Sequence, residues 1–190
     1  MNIFLSASVP IPRAGEERYF QSADVVAIRD AVKALSLFIA PRGTIVFGGH
    51  PAITPLIANL AVKRFGEGNQ PIKLYMSKFF EGSYPPESAS IKNVVLTERA
   101  DDLNQSLDVM RGRMLTDTPF TAAVFIGGMK GVIDEYDTLR KVQPNVPCFP
   151  IASTGGAALE IYKKHGPNMP ELERELTYPT LFRHILTFER

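Results

Sequence analysis

Short apolar runs recur along this chain, each ending in small residues and each leading into a stretch with helical periodicity. Ile3-Phe4-Leu5 leads into Ser6-Ala7-Ser8, and Thr44-Ile45-Val46-Phe47 into Gly48-Gly49-His50-Pro51. Ala122-Ala123-Val124-Phe125-Ile126 leads into Gly127-Gly128-Met129-Lys130-Gly131, and Phe149-Pro150-Ile151-Ala152 into Ser153-Thr154-Gly155-Gly156. Runs that are apolar at successive positions are strands covered on both faces. Their alternation with helices calls for parallel strands joined by right-handed helical crossovers. The expectation is an α/β fold: one doubly wound, Rossmann-like parallel sheet with helices on both faces, and a single domain over residues 1–190.

Residues 2–7, 44–47, 72–76, 93–97, 122–126 and 148–152 read as strands. Helical spacing places Val25, Val26, Ile28, Ala31, Val32, Leu35 and Phe38 on one stripe, and Ile53, Leu56, Ile57, Leu60, Ala61 and Phe65 on another. Pro55 must fall in the first turn of that second helix, which gives it a late start. Further helices are expected over 103–114, 132–142, 157–164 and 179–188, with loops over 10–18 and 77–90. The strand order is not legible in this pattern. Ligands in such folds bind beyond the carboxyl ends of the strands, at the switch in strand order.

Composition narrows the function classes. A net charge of +1 gives no reason to expect nucleic-acid polymer or anionic membrane as partner. No apolar run approaches the ~18 residues of a membrane span, and the start has no secretory pattern, so a cytoplasmic location is expected. The single cysteine, Cys148, excludes an internal disulfide and reads as a buried, inert thiol. His50, His165 and His184 lack metal-ligand spacing, so neither metal nor cofactor is expected. Gly-x-Gly-x-x-Gly, the P-loop and the Gly-x-Ser-x-Gly elbow are all missing.

The chemistry then falls to the four turns. Small residues let a ligand approach the backbone, and helix starts offer unpaired amides at a positive dipole end, a combination suited to phosphate. Candidate ligand-binding residues are Ser6, Ala7, Ser8, Gly48, Gly49, His50, Gly127, Gly128, Met129, Lys130, Gly131, Ser153, Thr154 and Gly155. Arg111 and Arg113 either reach a phosphate by bidentate contact or are helix-surface cations. Arg13 and Arg18 are lid residues or merely solvated. Phe79, Phe80 and Tyr84 either stack on a base or anchor their long loop.

A resemblance sharpens this list. Asp108-Val109-Met110-Arg111-Gly112-Arg113-Met114, the apolar strand, and Gly127-Gly128-Met129-Lys130-Gly131-Val132-Ile133-Asp134-Glu135 are similar to the LOG family of nucleotide phosphoribohydrolases. That family carries a helix arginine and a Pro-Gly-Gly-x-Gly-Thr-x-x-Glu loop. The sixteen positions from Arg111 to Gly127 match its spacing, and Ile45-Val46-Phe47-Gly48-Gly49 resembles its upstream turn. Departures are Ile126 for proline, Val132 for threonine, and the additional residue Lys130, which is expected to displace Glu135 from the family's position. The whole chain resembles the wider SLOG superfamily, in particular a branch found beside bacterial defence effectors.

Two functions follow from the resemblance. One is a sensor or signalling module that binds a small nucleotide, ADP-ribose-derived or cyclic, and passes the signal to an effector protein on another chain or through its own assembly. The alternative is a phosphoribohydrolase that cleaves the base–ribose bond of a nucleoside monophosphate, with Glu135 and Arg111 catalytic. In that case the carboxylate would stabilise an oxocarbenium ion, and Asp134 would replace it if the loop were absorbed differently. The resemblance also implies a homodimer. The stripe Leu181, Phe182, Ile185, Leu186 and Phe188 could serve that contact or equally finish the monomer core.

Overall fold

The alternation is realised as one parallel sheet in the computed structural model, which describes residues 1–66 and 70–187. Its strands are β1 (Asn2–Ser8), β2 (Thr44–Gly48), β3 (Ile72–Ser77), β4 (Val94–Thr97), β5 (Ala122–Gly127) and β6 (Cys148–Ile151). They lie in the order β4-β3-β2-β1-β5-β6, all parallel. From β1 the chain steps outward through β2, β3 and β4, then returns to place β5 on the other side of β1. Strand order therefore reverses between β1 and β5, where such sheets open a crevice.

Successive side chains on a strand point to opposite faces, so both faces need an apolar cover. Ile3, Leu5, Ile45, Phe47, Leu74, Val124 and Ile126 face one layer, formed by α2 (Val25–Ile39), α3 (Thr54–Phe65) and α8 (Tyr178–Ile185). Phe4, Val46, Tyr75, Ala123 and Phe125 face the other, formed by α4 (Leu103–Thr116), α5 (Lys130–Val142) and α6 (Gly156–His165). The fold is Rossmann-like α/β. Among the described residues no helix is long and apolar enough to cross a membrane.

Local signals explain most boundaries. Asp24 caps α2 by accepting the amides of Val26 and Ala27, and Asp102 caps α4 by accepting that of Gln105. Helix α3 starts late, with Pro55 in its first turn. Three differences from the sequence reading matter. The expected loop over 10–18 gives way at Glu17 to a short helix, α1 (Glu17–Ser22), and a second short helix, α7 (Glu171–Arg174), precedes α8. The long loop holds 3-10 turns at Lys78–Phe80 and Pro86–Ser90. Helix α5 begins at Lys130, because Met129 is extended and acts as its N-cap.

The C-terminal stripe closes the first layer. Leu181, Phe182, Ile185 and Leu186 are buried against it, with α8 packed along α2. Phe188 and the side chain of Phe65 lie outside the described residues. Cys148 is only partly buried, and burial pushes its thiol pKa up.

Candidate functional site

A cavity of about 290 Å³ opens beyond the carboxyl ends of β1, β2 and β3, beside the switch in strand order. Leu5, Ala7 and Ser8 of β1, and Phe47 and Gly48 of β2, form its floor. Gly49, His50, Pro51 and Ile53 come from the turn into α3. Met76 and Ser77 of β3 and the loop residues Phe80, Ser83, Tyr84 and Pro85 form a second wall. Leu107, Met110 and Arg111 of α4 with Gly131, Val132 and Glu135 of α5 form the third. The lining is mainly apolar with a few convergent polar groups, the character of a small-molecule site.

Arg111 is the polar centre. It shares the inward face of α4 with Leu107, Met110 and Met114, one turn apart on either side. Its side chain is 11% exposed, and its Nε is buried without a hydrogen-bond partner. Glu135 Oε1 lies 3.7 Å from that Nε, beyond hydrogen-bond reach, while Asp108 and Asp134 lie 3.7 and 3.9 Å from Nη1. A buried donor of this kind is costly unless something accepts from it. Gly131 makes the approach possible, since a Cβ there would meet Arg111 Nη2 at 3.1 Å.

Glu135 accepts a 2.5 Å hydrogen bond from the Ser6 hydroxyl. Burial raises the Glu135 pKa, and the Ser6 hydrogen bond and the Arg111 charge pull the other way without cancelling it. The additional residue of the glycine loop does not turn this carboxyl away. It is absorbed ahead of Gly131, and one helical turn from Gly131 to Glu135 puts both on the cavity face. His50 accepts from the Ala52 amide at Nδ1, 3.2 Å, which assigns its proton to Nε2. Burial lowers the His50 pKa, so the neutral ring offers a donor to the cavity.

The structure brings Ala7, Ser8, Gly48, Gly49, His50, Gly131, Arg111 and Glu135 to this cavity, with Ser6 behind Glu135. It does not bring the rest. Gly127 and Gly128 sit at φ +58° and +87°, and added Cβ atoms would strike Ile28 at 2.4 Å and Val132 at 2.3 Å. Their amides donate to Thr154 Oγ1 and Ser8 O, both at 2.8 Å, and so are not open to a phosphate. Met129 packs against the second layer as the α5 N-cap, and Lys130 points outward to Asp134 at 2.6 Å. Ser153 faces the Tyr178 hydroxyl, Thr154 is buried on Ile151 O, and Gly155 lies against the end of α1, where a Cβ would meet Ser22 O.

Among the other candidates, Arg113 pairs with Asp117, Arg13 with Glu16, and Arg18 with Glu160 while lying over the Tyr19 ring. None of these three lines the cavity. Tyr84 anchors its loop, donating its hydroxyl to Ser77 O at 2.9 Å, and also lines the cavity. Phe80 lines it too, and Phe79 packs edge-on against Phe80. Sequence reading missed Met76, Leu107 and Met110. The last two carried a signal, since they share a helix face with Arg111. Among the described residues no group of His, Cys, Asp or Glu side chains is placed to hold a metal ion.

A model of the SLOG cluster3 family matches residues 18–186. The chain belongs to that family. No curated protein and no solved structure matches it. In this SLOG chain the match takes in α4, α5 and the turn after β2, and so most of the cavity; β1, with Ser6, Ala7 and Ser8, precedes it. Membership accords with a nucleotide-related function for the site.

Proposed function

We propose that this protein binds a small nucleotide, ADP-ribose-derived or cyclic, in the cavity between α4, α5 and the ends of β1 to β3, and holds it intact as a signal. The observation that carries this is Arg111, a half-enclosed cation that lines a largely apolar cavity and whose buried Nε has no hydrogen-bond partner. A phosphate oxygen would pair with the Arg111 guanidinium where it lines the cavity, assisted by the first-turn amides of α5, while the ring of a base would rest against Phe80 and Tyr84. Output passes to an effector on another chain or through assembly, and requires the nucleotide to bind one state more tightly than another. A role in a bacterial defence system fits this reading.

A second reading has its own observation, the placement of Arg111 and Glu135 together at the cavity wall. This is the pair a phosphoribohydrolase would use. Two features weigh against it. Burial favours the neutral carboxylic acid, which stabilises an oxocarbenium ion poorly, and the Gly127 and Gly128 amides already have acceptors. Mass spectrometry of nucleotides released from the purified protein, followed by incubation with AMP, NAD and ADP-ribose, separates the readings. Intact bound nucleotide is expected; liberated base would establish the hydrolase, and no binding at all would reject both.

A further inference from the structure

Charge limits which nucleotide this cavity can take. We propose that its ligand carries one negative charge, as a cyclic phosphodiester does, and that nucleotides with a pyrophosphate or longer chain are rejected. This rests on the nucleotide reading of the same site and selects its cyclic member over the ADP-ribose-derived one.

Arg111 and Glu135 are the charged side chains of the lining, so the wall holds at most the single positive charge of one guanidinium. That guanidinium already stands near three carboxyl groups, those of Asp108, Asp134 and Glu135, at 3.7, 3.9 and 3.7 Å. Lys130, on the adjacent turn, adds nothing inside, because its ammonium is bound to Asp134 and its side chain is 67% exposed. His50 is neutral. The start of α5 contributes a partial positive charge through Gly131, enough to support one anionic group beside Arg111.

Sites that hold di- and triphosphates bring a lysine, arginine or metal ion to the added charges. Here a second phosphate would leave Arg111 and meet the carboxylates that stand beside it, Asp108 and Asp134, or the apolar wall of Met76, Leu107 and Met110. Either placement leaves a charge unpaired in a poorly hydrated space. An uncharged nucleoside binds less well for the opposite reason, because it gains nothing from the Arg111 guanidinium, the one cation of the lining. Affinity should therefore peak at one charge rather than rise with phosphate number.

Calorimetric titration of the full chain with adenosine, cyclic AMP, ADP, ADP-ribose and ATP, and with the guanine counterparts, tests this. Cyclic nucleotide should bind best, with a loss of about tenfold for each charge added beyond one. Asp134→Asn removes one carboxylate beside Arg111 and frees Lys130, and should narrow the gap between cyclic AMP and ADP by about fivefold. ADP-ribose or ATP binding as tightly as the cyclic nucleotide would overturn the charge limit and leave the nucleotide reading standing. If no member of either series binds, the nucleotide reading falls and the limit with it.

Discussion

A carboxyl group buried beside a guanidinium is pulled in two directions, and at Glu135 burial wins. Its pKa is raised in the fold, so the folded state binds a proton more tightly than the unfolded one. That contribution is fully present below the unfolded pKa and is lost as pH rises through the folded value. Glu135→Gln cannot ionise and still accepts from Ser6. Its stability relative to wild type, read from urea midpoints, should improve as pH rises above the ordinary carboxyl range and level off once wild-type Glu135 is ionised in the fold. A flat difference would mean that Arg111 offsets the cost of burial. The same variant separates the functions. If the protein were a hydrolase, base release should fall by several kcal/mol of transition-state stabilisation, roughly 100-fold or more, with binding little changed. In the sensor reading there is no release to lose. Arg111 and Glu135 were legible through the resemblance, whose helix arginine and glycine loop they match; Met76 was not, because an apolar cavity wall has the composition of a core.

At the level of elements, the glycine turns divide into two kinds that look alike in sequence. Gly48, Gly49 and Gly131 border the cavity, whereas Gly127 and Gly128 make room for Ile28 of α2 and Val132 of α5, Gly155 for the end of α1, and Gly156 for the turn after β5. Thr154 ties this second group together, accepting from Gly127 N and donating to Ile151 O at 2.6 Å. Thr154→Val should leave a buried amide unpaired and cost about 1–3 kcal/mol in denaturant unfolding, with nucleotide affinity at the cavity unchanged once folding is complete. Gly131→Ala should do the reverse. The backbone there is helical, so the fold should hold, but Arg111 must yield a few tenths of an ångström, and affinity should fall by about tenfold in calorimetry. Equal affinity would place the ligand away from Arg111. Strands and long helices were readable because they repeat their period; α1 and α7 have fewer than two turns and show none.

On the scale of the molecule, local pattern shows that β1 and β5 are strands but not that they are neighbours. Their adjacency depends on α2, α4 and α5 covering the sheet together, a property of packing that no local window contains. The C-terminal segment shows the same limit. Its apolar stripe suits an interface or a core equally well, and the fold assigns Leu181, Phe182, Ile185 and Leu186 to the core. We propose that a homodimer of the kind the resemblance implies would use another surface. Phe182 is fully buried between α8 and α2, so Phe182→Ala removes a large side chain from the packed layer rather than from a contact between copies. The expected outcome is a loss of about 3–5 kcal/mol in unfolding free energy with the oligomeric state by light scattering unchanged. A variant that kept its unfolding midpoint yet passed from dimer to monomer would show that α8 is an interface after all, and that the layer it closes can stand without it.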